Sequence, residues 1–468
     1  MSGARPPADP ARARASLAAH AWPVPLLAAL ARLAAGGHRA YLVGGSVRDA
    51  LLGRPDGARW DVASDLEPAE VQARFARVEP TGLRHGTVLV LEPGAEIECT
   101  TFRREAGYRD ARHPDAVTFT DDPVADLARR DLTVNAIAFD PLAGELLDPF
   151  GGLADLAAGV LRAVGDPLAR FREDALRPLR VARLAATLEM EVAPATRAAL
   201  GQVGGRLAGV SMERVRDELE RMLTARRPSR GLELLREAGL LEAWLPELAA
   251  TVGVPQNRWH AYDVWTHSIL SCDEAPENDR SVRWAALLHD LGKPGTRAER
   301  DGQATFYGHA ALGATLADAL LERLRMPRAA RERIVTLVRE HMFDYRPEWS
   351  DAAVRRWLRR VGEDAVEALF ELRRADARAH GPERRSPQGL ERLAERIARV
   401  RAATHARSLR DLAVDGRDVM RVLGLPPGPR VGEMLSALLE EVTEDPAANT
   451  REHLLARLAA RASGHDPA

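Results

Sequence analysis

The sequence has few of the features that mark disulfide-linked, membrane-spanning or disordered proteins. Its 468 residues include two cysteines, Cys99 and Cys272, which lie far apart in the chain. This usage predicts a cytoplasmic protein without disulfides. No segment reaches the roughly 20 uninterrupted apolar residues that a membrane helix requires. A hydrophobic content of 46% excludes a largely disordered chain.

Lysine is almost absent from the sequence. Lys293 is the single lysine among 66 basic residues, so the other 65 are arginines. The formal net charge of −2 excludes a protein coated in positive charge. It leaves nucleic-acid binding open, because such binding needs only a local basic stripe. At this length we expect two to four domains.

The N-terminal segment resembles a secretory signal only faintly. Arg12 and Arg14 precede a fairly apolar stretch, but Pro23 and Pro25 interrupt that stretch. We therefore expect a disordered leader and a covering helix over residues 1–36.

Two kinds of hydrophobic pattern divide the rest of the chain. Up to about residue 148, short apolar runs alternate with turns, which predicts a mixed α/β sheet. The runs are Tyr41–Val43, Trp60–Ala63, Thr87–Leu91, Glu96–Phe102, Ala116–Phe119 and Ala136–Phe139. From residue 152 onward, apolar residues recur at helical spacing. The sequence therefore predicts an α/β head over residues 37–150, with a mixed sheet, followed by an all-α body.

A candidate nucleotide-binding motif follows the first strand of the head. A tight turn, Gly44-Gly45, precedes Ser46, which is a plausible N-cap for a helix over Val47–Leu52. This arrangement exposes backbone N–H groups at a helix start, where a triphosphate can approach closely, and Arg48 adds a cation. A lone Gly-Gly turn is more often structural, so the interpretation depends on residues farther along the head.

Acids and arginines in later strands complete the candidate site. Glu98 could bind a metal ion or face solvent, and Arg130 precedes an acid at a strand edge, which suits phosphate binding or a solvated salt bridge. Enzymes that transfer nucleotides usually hold two Mg²⁺ ions with carboxylates two residues apart on one strand. Asp61 is one such acid, but its partner position is Arg59. The guanidinium brings positive charge to where a cation should bind.

A second group of metal-ligating residue types lies in the helical part. An apolar helix over Val282–Leu288 leads into His289-Asp290, and Lys293 follows. A lone histidine is usually a packed core residue, but an adjacent His-Asp with further candidates is a stronger signal. The further candidates are His267, His309, His341 and Asp376. Imidazoles and carboxylates from several helices suit a divalent transition metal, or two metal ions that activate water against a phosphoester.

On these residues the chain resembles the bacterial CCA-adding tRNA nucleotidyltransferases, relatives of bacterial poly(A) polymerases, with an HD phosphohydrolase domain attached. The matching stretches of the head and neck are Leu42–Asp49, Glu98–Arg103, Arg129–Ala136, Asp148–Gly152 and Glu173–Arg177. The resemblance runs from Tyr41 to about Leu455. It implies a helical neck over 151–250, an HD body over 251–385 and a helical tRNA-binding tail over 386–468.

The resemblance implies a role for each candidate residue of the head and neck. The triphosphate would be held by Gly44, Gly45, Arg48 and Arg130. The catalytic ligands of Mg²⁺ would be Asp61 and Glu98. The incoming base would be selected, without a nucleic-acid template, by Asp174 and Arg177. A carboxylate accepts from an exocyclic amino group and a guanidinium donates to ring acceptors, so C and A can be favoured over U and G.

Three further neck residues affect the interpretation of this base-selection element. Arg180 and Arg183 continue at a spacing of three, within reach of phosphate, although an exposed basic helix face is the alternative interpretation. Pro178 lacks the N–H that would bond the carbonyl of Asp174, which predicts looser base selection.

For the HD body, the resemblance implies phosphatase and 2′,3′-cyclic phosphodiesterase activity. The core metal ligands would be His267, His289, Asp290 and Asp376. A second metal ion or a phosphate would be bound by His309 and His341, and Lys293 would contact phosphate. A divalent transition metal such as Ni, Mn or Co is expected there.

These observations predict a cytoplasmic enzyme that adds or repairs the 3′-terminal CCA of tRNA from CTP and ATP and carries a phosphohydrolase site. Neither a membrane nor an obligate protein partner is expected. The stretch Arg103–Asp121 is full length, and in the family it is associated with adding the terminal A. Three alternatives stay open: poly(A) addition, an HD phosphohydrolase whose head is impaired by Arg59, and a tRNA-binding protein without catalysis.

Overall fold

The structure is a computed structural model that describes residues 6–55, 57, 59–106, 116–256, 261–300, 303–380, 389–403 and 409–462. The chain divides into two compact units. The first comprises Met1–Ala250 with Leu320–Met326, and the second comprises Thr251–Ala319 with Pro327–Ala468. None of the helices within the described ranges is both long and apolar enough to cross a membrane.

Two helices precede the first strand of the first unit. They are α1 (Pro10–Ala18) and α2 (Val24–Ala34). The expectation of a disordered leader is therefore wrong for residues 10–18. Asp9 caps α1 by accepting from the Arg12 N–H, and the helix buries Leu17 completely, so capping and burial together stabilise it.

The head contains a seven-stranded mixed sheet, which confirms the predicted fold class. Its elements are β1 (Ala40–Val43), α3 (Gly45–Leu51), β2 (Arg59–Ser64), α4 (Pro68–Arg74), β3 (Val78–Gly82), β4 (Thr87–Glu92), β5 (Ala95–Thr101), β6 (Arg103–Ala106), β7 (Ala116–Phe119), α5 (Pro123–Ala128), β8 (Ala138–Asp140) and β9 (Glu145–Leu147). The strand order is β3-β4-β5-β2-β1-β8-β9. β2 and β5 are parallel, whereas their neighbours pair antiparallel. β6 and β7 form a separate antiparallel pair.

Each of the six apolar runs matches a strand, with both ends of the run within two residues of the ends of the strand. Three other strands of the head were not predicted. These are β3, β6 and β9. β3 lies at the edge of the sheet, and most of its side chains are exposed, so it shows no alternation of apolar and polar residues. The hydrophobic pattern therefore identifies the centre of the sheet better than its edges.

The neck is helical apart from one short parallel strand pair, β10 with β11. Its elements are α6 (Gly152–Ala158), β10 (Val160–Leu161), α7 (Pro167–Glu173), α8 (Arg177–Leu188), β11 (Glu191–Val192), α9 (Pro194–Ala199), α10 (Met212–Leu223), α11 (Ser229–Glu237), α12 (Leu241–Trp244) and α13 (Pro246–Ala249). α8 packs against α10 and α11. A Cβ on Gly231 would lie 2.6 Å from the Ala182 carbonyl oxygen and 2.3 Å from Met222 Sδ. Glycine therefore lets α11 approach α8 closely.

The second unit is helical apart from the hairpin of β12 and β13. Its elements are α14 (Val264–Glu274), α15 (Arg280–Leu288), α16 (Lys293–Thr296), β12 (Ala298–Arg300), β13 (Gln303–Thr305), α17 (His309–Arg323), α18 (Arg328–Glu340), α19 (Asp351–Val361), α20 (Val366–Ala379), α21 (Leu390–Ala403), α22 (Gly416–Leu423), α23 (Pro429–Glu444) and α24 (Arg451–Ala462). α15 packs against α14, α18 and α20, and the large side chains Trp265 and Trp284 are buried in this part of the unit. The last three helices bury a smaller core of their own that includes Val419, Leu438 and Leu454.

Candidate functional site

The ten residues proposed from the sequence for the head and neck all line one cavity of about 480 Å³ in the first unit. Among the described residues, its lining includes eight arginines and four acids. The arginines are Arg48, Arg103, Arg129, Arg130, Arg177, Arg180, Arg183 and Arg221, and the acids are Asp61, Glu98, Asp131 and Asp174. The excess of positive charge suits a polyphosphate, because guanidinium groups form charge-assisted hydrogen bonds to its oxygens.

The Gly-Gly turn lies against the acid of β2. Gly44 has φ 68° and ψ −132°, a conformation that residues with a Cβ rarely adopt. A Cβ there would lie 3.0 Å from Arg130 Nη1 and 3.2 Å from Asp61 Oδ2. The prediction that Ser46 caps the helix is wrong, because α3 already begins at Gly45, and Ser46 Oγ instead accepts from the Asp61 N–H. The serine therefore ties the turn to β2.

Arg48 is held in place by a chain of buried polar groups. Its Nη1 donates to Asn135 Oδ1, Asn135 Nδ2 donates to Asp131 Oδ1 at 2.9 Å, and Asp131 Oδ2 lies 3.0 Å from Arg180 Nε. Burial alone would raise the pKa of Asp131, but Arg180 and the Asn135 hydrogen bond hold that pKa well below its usual value. Asp131 is therefore ionised and orients two cavity arginines. Asn135 lies in the matching stretch 129–136, but the sequence analysis assigned it no role.

The proposed base-selecting residues Asp174 and Arg177 both reach the cavity from the junction of α7 and α8. Asp174 Oδ2 accepts from Arg214 Nη2 at 2.6 Å. Arg177 Nη1 donates to Glu173 Oε2 at 2.6 Å, and its Nη2 donates to the Arg129 carbonyl at 2.9 Å. The two side chains are thus oriented by neighbours before any base arrives. Arg214 comes from α10, forty residues away, and no motif in the sequence pointed to it.

Pro178 does not disturb this element, so the predicted loosening of base selection loses its physical basis. Pro178 lies in the first turn of α8, where a missing N–H leaves no intrahelical bond unmade. The Asp174 carbonyl is instead bonded by the Arg177 N–H at 3.0 Å. Farther along α8, Arg183 pairs with the buried Glu218. Arg183 is therefore an anchored residue at the cavity wall and not part of an exposed basic face.

Asp61 and Glu98 are direct partners in the parallel register of β2 and β5, so their side chains lie on the same face. Burial raises the pKa of both carboxyl groups, and the charge of Asp61 raises that of Glu98 further. Arg59 is paired with Glu96 in the same register. Its Nη1 lies 3.3 Å from Glu98 Oε2, and its Nε lies 3.7 Å from Glu96 Oε2.

These contacts decide what the carboxylates can bind. Asp61 and Glu98 both offer oxygens to a divalent cation, and the Arg59 guanidinium lies 3.3 Å from Glu98 Oε2. In the part of the chain that the structure describes, the groups of three or more possible metal ligands all belong to the second unit. Asp56, the last acid before Arg59 in the sequence, lies outside the described residues.

The second unit brings the six histidine and aspartate candidates into one buried cluster. His267 Nε2 lies 3.0 Å from Asp376 Oδ1, and His289 Nε2 lies 3.2 Å from Asp290 Oδ2. The two remaining histidines meet on the other side of Asp290. His309 Nε2 lies 3.3 Å from His341 Nε2 and 3.6 Å from Asp290 Oδ1. Three overlapping sets of potential ligands result, and Asp290 belongs to two of them.

Three of these histidines share one orientation. The Nδ1 atoms of His289, His309 and His341 each donate to the carbonyl three residues earlier, at 2.8, 2.8 and 2.7 Å. The proton on Nδ1 leaves the lone pair on Nε2, which faces the carboxylates. Metal-binding histidines are commonly oriented through a hydrogen bond of this kind.

The pKa shifts of His341 and Asp290 favour the forms that bind metal ions. Burial alone would lower the pKa of His289, but Asp290 raises it above its usual value, so a metal ion would compete with a proton there. Burial and the nearby His289 lower the pKa of His341 to about 3, so this imidazole is neutral at physiological pH. Burial alone would raise the pKa of Asp290, but His289 and Lys293 hold it well below its usual value. Neutral imidazoles and ionised carboxylates are the ligands that divalent transition metals take. The residues present therefore fit such an ion.

Two neighbours of the cluster extend it. Lys293 Nζ lies 2.7 Å from Asp290 Oδ2 and 2.6 Å from Gln256 Oε1, so the single lysine is anchored beside the ligands. His380 is a ligand candidate that the sequence interpretation missed. It joins His267 and Asp376 in one potential ligand set, and its Nδ1 donates to the Asp376 carbonyl at 2.8 Å. Its position four residues after Asp376, one helical turn on, was the available signal.

Three family models match the chain: the poly A polymerase head domain over residues 40–162, the probable RNA and SrmB-binding site of polymerase A over 189–251, and the HD domain over 259–381. The CCA-adding enzyme of Geobacillus stearothermophilus is 35% identical over 429 residues, which are 91% of this chain and 94% of that protein. The A-adding tRNA nucleotidyltransferase of Deinococcus radiodurans is 39% identical over 417 residues, 86% of this chain and 91% of that protein. The crystal structure of the Bacillus stearothermophilus CCA-adding enzyme in complex with CTP is similar with a TM-score of 0.69 and 30% identity, covering 94% of this chain and 97% of that one.

Proposed function

This chain belongs to the family of CCA-adding tRNA nucleotidyltransferases and poly(A) polymerases, with an HD domain attached, and from that premise we propose that it adds or repairs the 3′-terminal CCA of tRNA using CTP and ATP. Membership of this family, together with the HD domain, implies the use of divalent metal ions. The observation that carries the proposal is the convergence of the Gly-Gly turn, two carboxylates and eight arginines on one cavity.

In this proposal, some cavity residues contact the triphosphate and others contact the base of the incoming nucleotide. The backbone of Gly44 and Gly45 lies against the triphosphate, and Arg48 and Arg130 stabilise the departing pyrophosphate while the 3′-hydroxyl of the tRNA attacks the α-phosphate. Asp61 and Glu98 hold Mg²⁺, which neutralises charge on the triphosphate when bound.

Base selection falls to the pair at the start of α8. The Asp174 carboxylate accepts from the exocyclic amino group that C and A share, and Arg177 donates to ring acceptors. The contacts of Arg214 with Asp174 and of Glu173 with Arg177 support this role, because they fix both side chains in orientation.

Incorporation of labelled CTP and ATP onto tRNA transcripts tests the transfer proposal. One transcript ends before CCA and a second ends in CC, and Asp61→Asn serves as the inactive control. We expect the wild-type chain to complete both transcripts. Completion of the second transcript alone indicates A addition, as the name of the Deinococcus relative describes. Absence of any incorporation by the wild type or by Arg59→Asp contradicts the proposal.

The buried cluster of the second unit supports a separate hydrolytic activity. We assign to it the hydrolysis of phosphomonoesters and of 2′,3′-cyclic phosphates, with Ni, Mn or Co bound by His267, His289, Asp290 and Asp376. A second ion or the phosphate itself would be bound by His309 and His341, next to Lys293. A transition-metal ion held by these residues would supply an activated water for attack on phosphorus.

Metal analysis and phosphatase assays test the hydrolytic site. We expect at least one transition-metal ion per chain, and hydrolysis of 2′,3′-cyclic AMP that a chelator removes and Ni, Mn or Co restores. The variant His289→Asn is expected to lose both the metal and the activity while it keeps CTP binding. A metal-free wild-type chain that hydrolyses nothing after metal addition contradicts the assignment.

A second candidate function follows from one observation, the contact between Arg59 and Glu98. In that case the HD site is the catalytically active site, and the head binds tRNA and nucleotides without transferring a nucleotide at a significant rate. The two assays above separate the candidates, because hydrolysis without incorporation supports this alternative. Loss of both activities with retained tRNA binding supports a non-catalytic tRNA-binding protein. The tail over residues 386–468 would contribute to tRNA binding, and the cytoplasm would be the place of action.

A further inference from the structure

We infer that the nucleotide site works with one divalent cation, and that the Arg59 guanidinium supplies positive charge where a second cation would otherwise bind. The inference rests on the proposed binding of CTP and ATP in this cavity. It concerns the number of metal ions in the head and is independent of the metal cluster in the second unit.

The register of the two parallel strands β2 and β5 places Arg59 beside the carboxylates. Arg59 is paired with Glu96 and Asp61 with Glu98, and the alternation of side chains puts these residues on one face of the sheet. The guanidinium contacts Glu98 at 3.3 Å and Glu96 at 3.7 Å. The sheet itself therefore holds the positive charge beside the carboxylates.

The Arg59 guanidinium carries a positive charge and presents it to two acids of β5. Its Nη1 lies 3.3 Å from Glu98 Oε2 and its Nε lies 3.7 Å from Glu96 Oε2, so the charge lies beside these carboxylates as that of a bound cation would. A second divalent ion there would face a like charge, and the further carboxylate on this face, Glu96, already lies 3.7 Å from that guanidinium.

The other acids near the cavity are already paired with arginines. Asp131 is bonded by Arg180 and Asn135. Asp126 is paired with Arg129 at 2.8 Å. Within the described residues, these acids already neutralise arginines and are not available as substitute ligands without breaking a buried ion pair. Asp174, the remaining acid of the cavity lining, is bonded by Arg214 at 2.6 Å, so none of these three acids restores a second cation site without losing an ion pair.

The test counts Mn²⁺ ions by electron paramagnetic resonance on the full chain with a non-hydrolysable CTP analogue. Because the second unit also binds divalent metals, all proteins carry His289→Asn, and only the ions that bind on addition of the nucleotide are counted. The compared chains are wild type at position 59, Arg59→Asp and Arg59→Gln. Arg32→Asp is the matched control, because Arg32 forms an exposed ion pair with a different acid, Glu92, whereas Arg59 contacts Glu98.

We expect one nucleotide-dependent Mn²⁺ with Arg59 and two with Arg59→Asp. Arg59→Gln removes the charge and adds only a neutral amide oxygen, a weaker ligand than a carboxylate, so it keeps one Mn²⁺ and binds it about tenfold more tightly. Arg32→Asp keeps one Mn²⁺ with unchanged affinity. Arg59→Gln also keeps the test valid if Arg59→Asp fails to fold.

Two Mn²⁺ ions, or none, in the chain with Arg59 overturn the inference. One Mn²⁺ in both the Arg59 and the Arg59→Asp chains overturns it too, because the guanidinium is then not the cause. The number of bound Mn²⁺ ions and the nucleotide-transfer activity test the inference and the proposed function separately. A chain that binds one Mn²⁺ with CTP but adds no nucleotide refutes transfer alone, whereas incorporation with two bound ions refutes the inference alone.

Discussion

Replacement of Gly44 by alanine should damage the nucleotide site more than the same change at Gly45. Gly44 has φ 68° and ψ −132°, and an added Cβ would lie 3.0 Å from Arg130 Nη1 and 3.2 Å from Asp61 Oδ2. Gly45 is the first residue of α3, and its Cβ would find its nearest atom, Arg48 Nη2, at 3.4 Å. The two glycines are neighbours, so they form a matched pair that differs in backbone conformation.

The expected magnitude follows from the cost of holding a non-glycine residue in that conformation, about 1–3 kcal/mol. If the turn keeps its shape, the free energy of unfolding falls by that amount in Gly44→Ala. If the turn opens to relieve the strain, the backbone N–H groups leave the triphosphate, and CTP binding weakens by about 10- to 100-fold. Gly45→Ala should show a smaller effect on both quantities, because its backbone needs no rearrangement.

Calorimetric titration with CTP, together with chemical unfolding of the same samples, measures both quantities. For each variant, the loss in CTP-binding free energy is added to the loss in unfolding free energy. This sum should be larger for Gly44→Ala than for Gly45→Ala by about 1 kcal/mol or more. Equal values for the two variants would show that the conformation of Gly44 is not needed for binding, and the account of the turn would then be wrong.

Three further predictions concern other contacts. Arg214→Ala should free the Asp174 carboxylate and raise misincorporation of UTP relative to CTP about tenfold, measured in competition on one tRNA, whereas the exposed Arg32→Ala should not. Removal of divalent metal should lower the melting temperature of the transition that contains His289 and leave the CTP-stabilised transition unchanged, seen by calorimetry with and without chelator. Asp131 has a lowered pKa in the folded chain, so its contribution to stability is present above about pH 4 and is lost as the pH falls further. The stability difference between wild type and Asp131→Asn should therefore shrink from pH 5 to pH 3, and a constant difference would contradict the ionised state.

The sequence predicted which residues come together better than it predicted their local geometry. Asp61, Glu98 and Arg130 were selected from separate segments of the head, and all three line the same cavity. Arg214 could not be predicted, because its contact with Asp174 depends on how α10 packs against α8. Ser46 was misassigned as a cap because sequence alone does not reveal the backbone angles of Gly44.

The second unit shows the same division. His267, His289 and His341 come from separate helices, and the adjacent His289-Asp290 pair, with further candidates along the chain, was the signal for this cluster. His380 was missed, although it follows Asp376 by one turn of α20. In the tail, Asp415 caps α22 and Gly424 ends it with φ 63°. Caps of this kind depend on local backbone angles that hydrophobic spacing does not report.

The carbonyl contacts of the three histidines have a consequence for metal exchange. Because His289, His309 and His341 are oriented by their own backbone segments, the donor atoms face one another whether or not an ion is present. A preorganised set of donors needs little rearrangement to release one ion and accept another. The resident metal should therefore follow the supply of ions in the cell, and preparations of this protein grown on different media should differ in metal while sharing one fold.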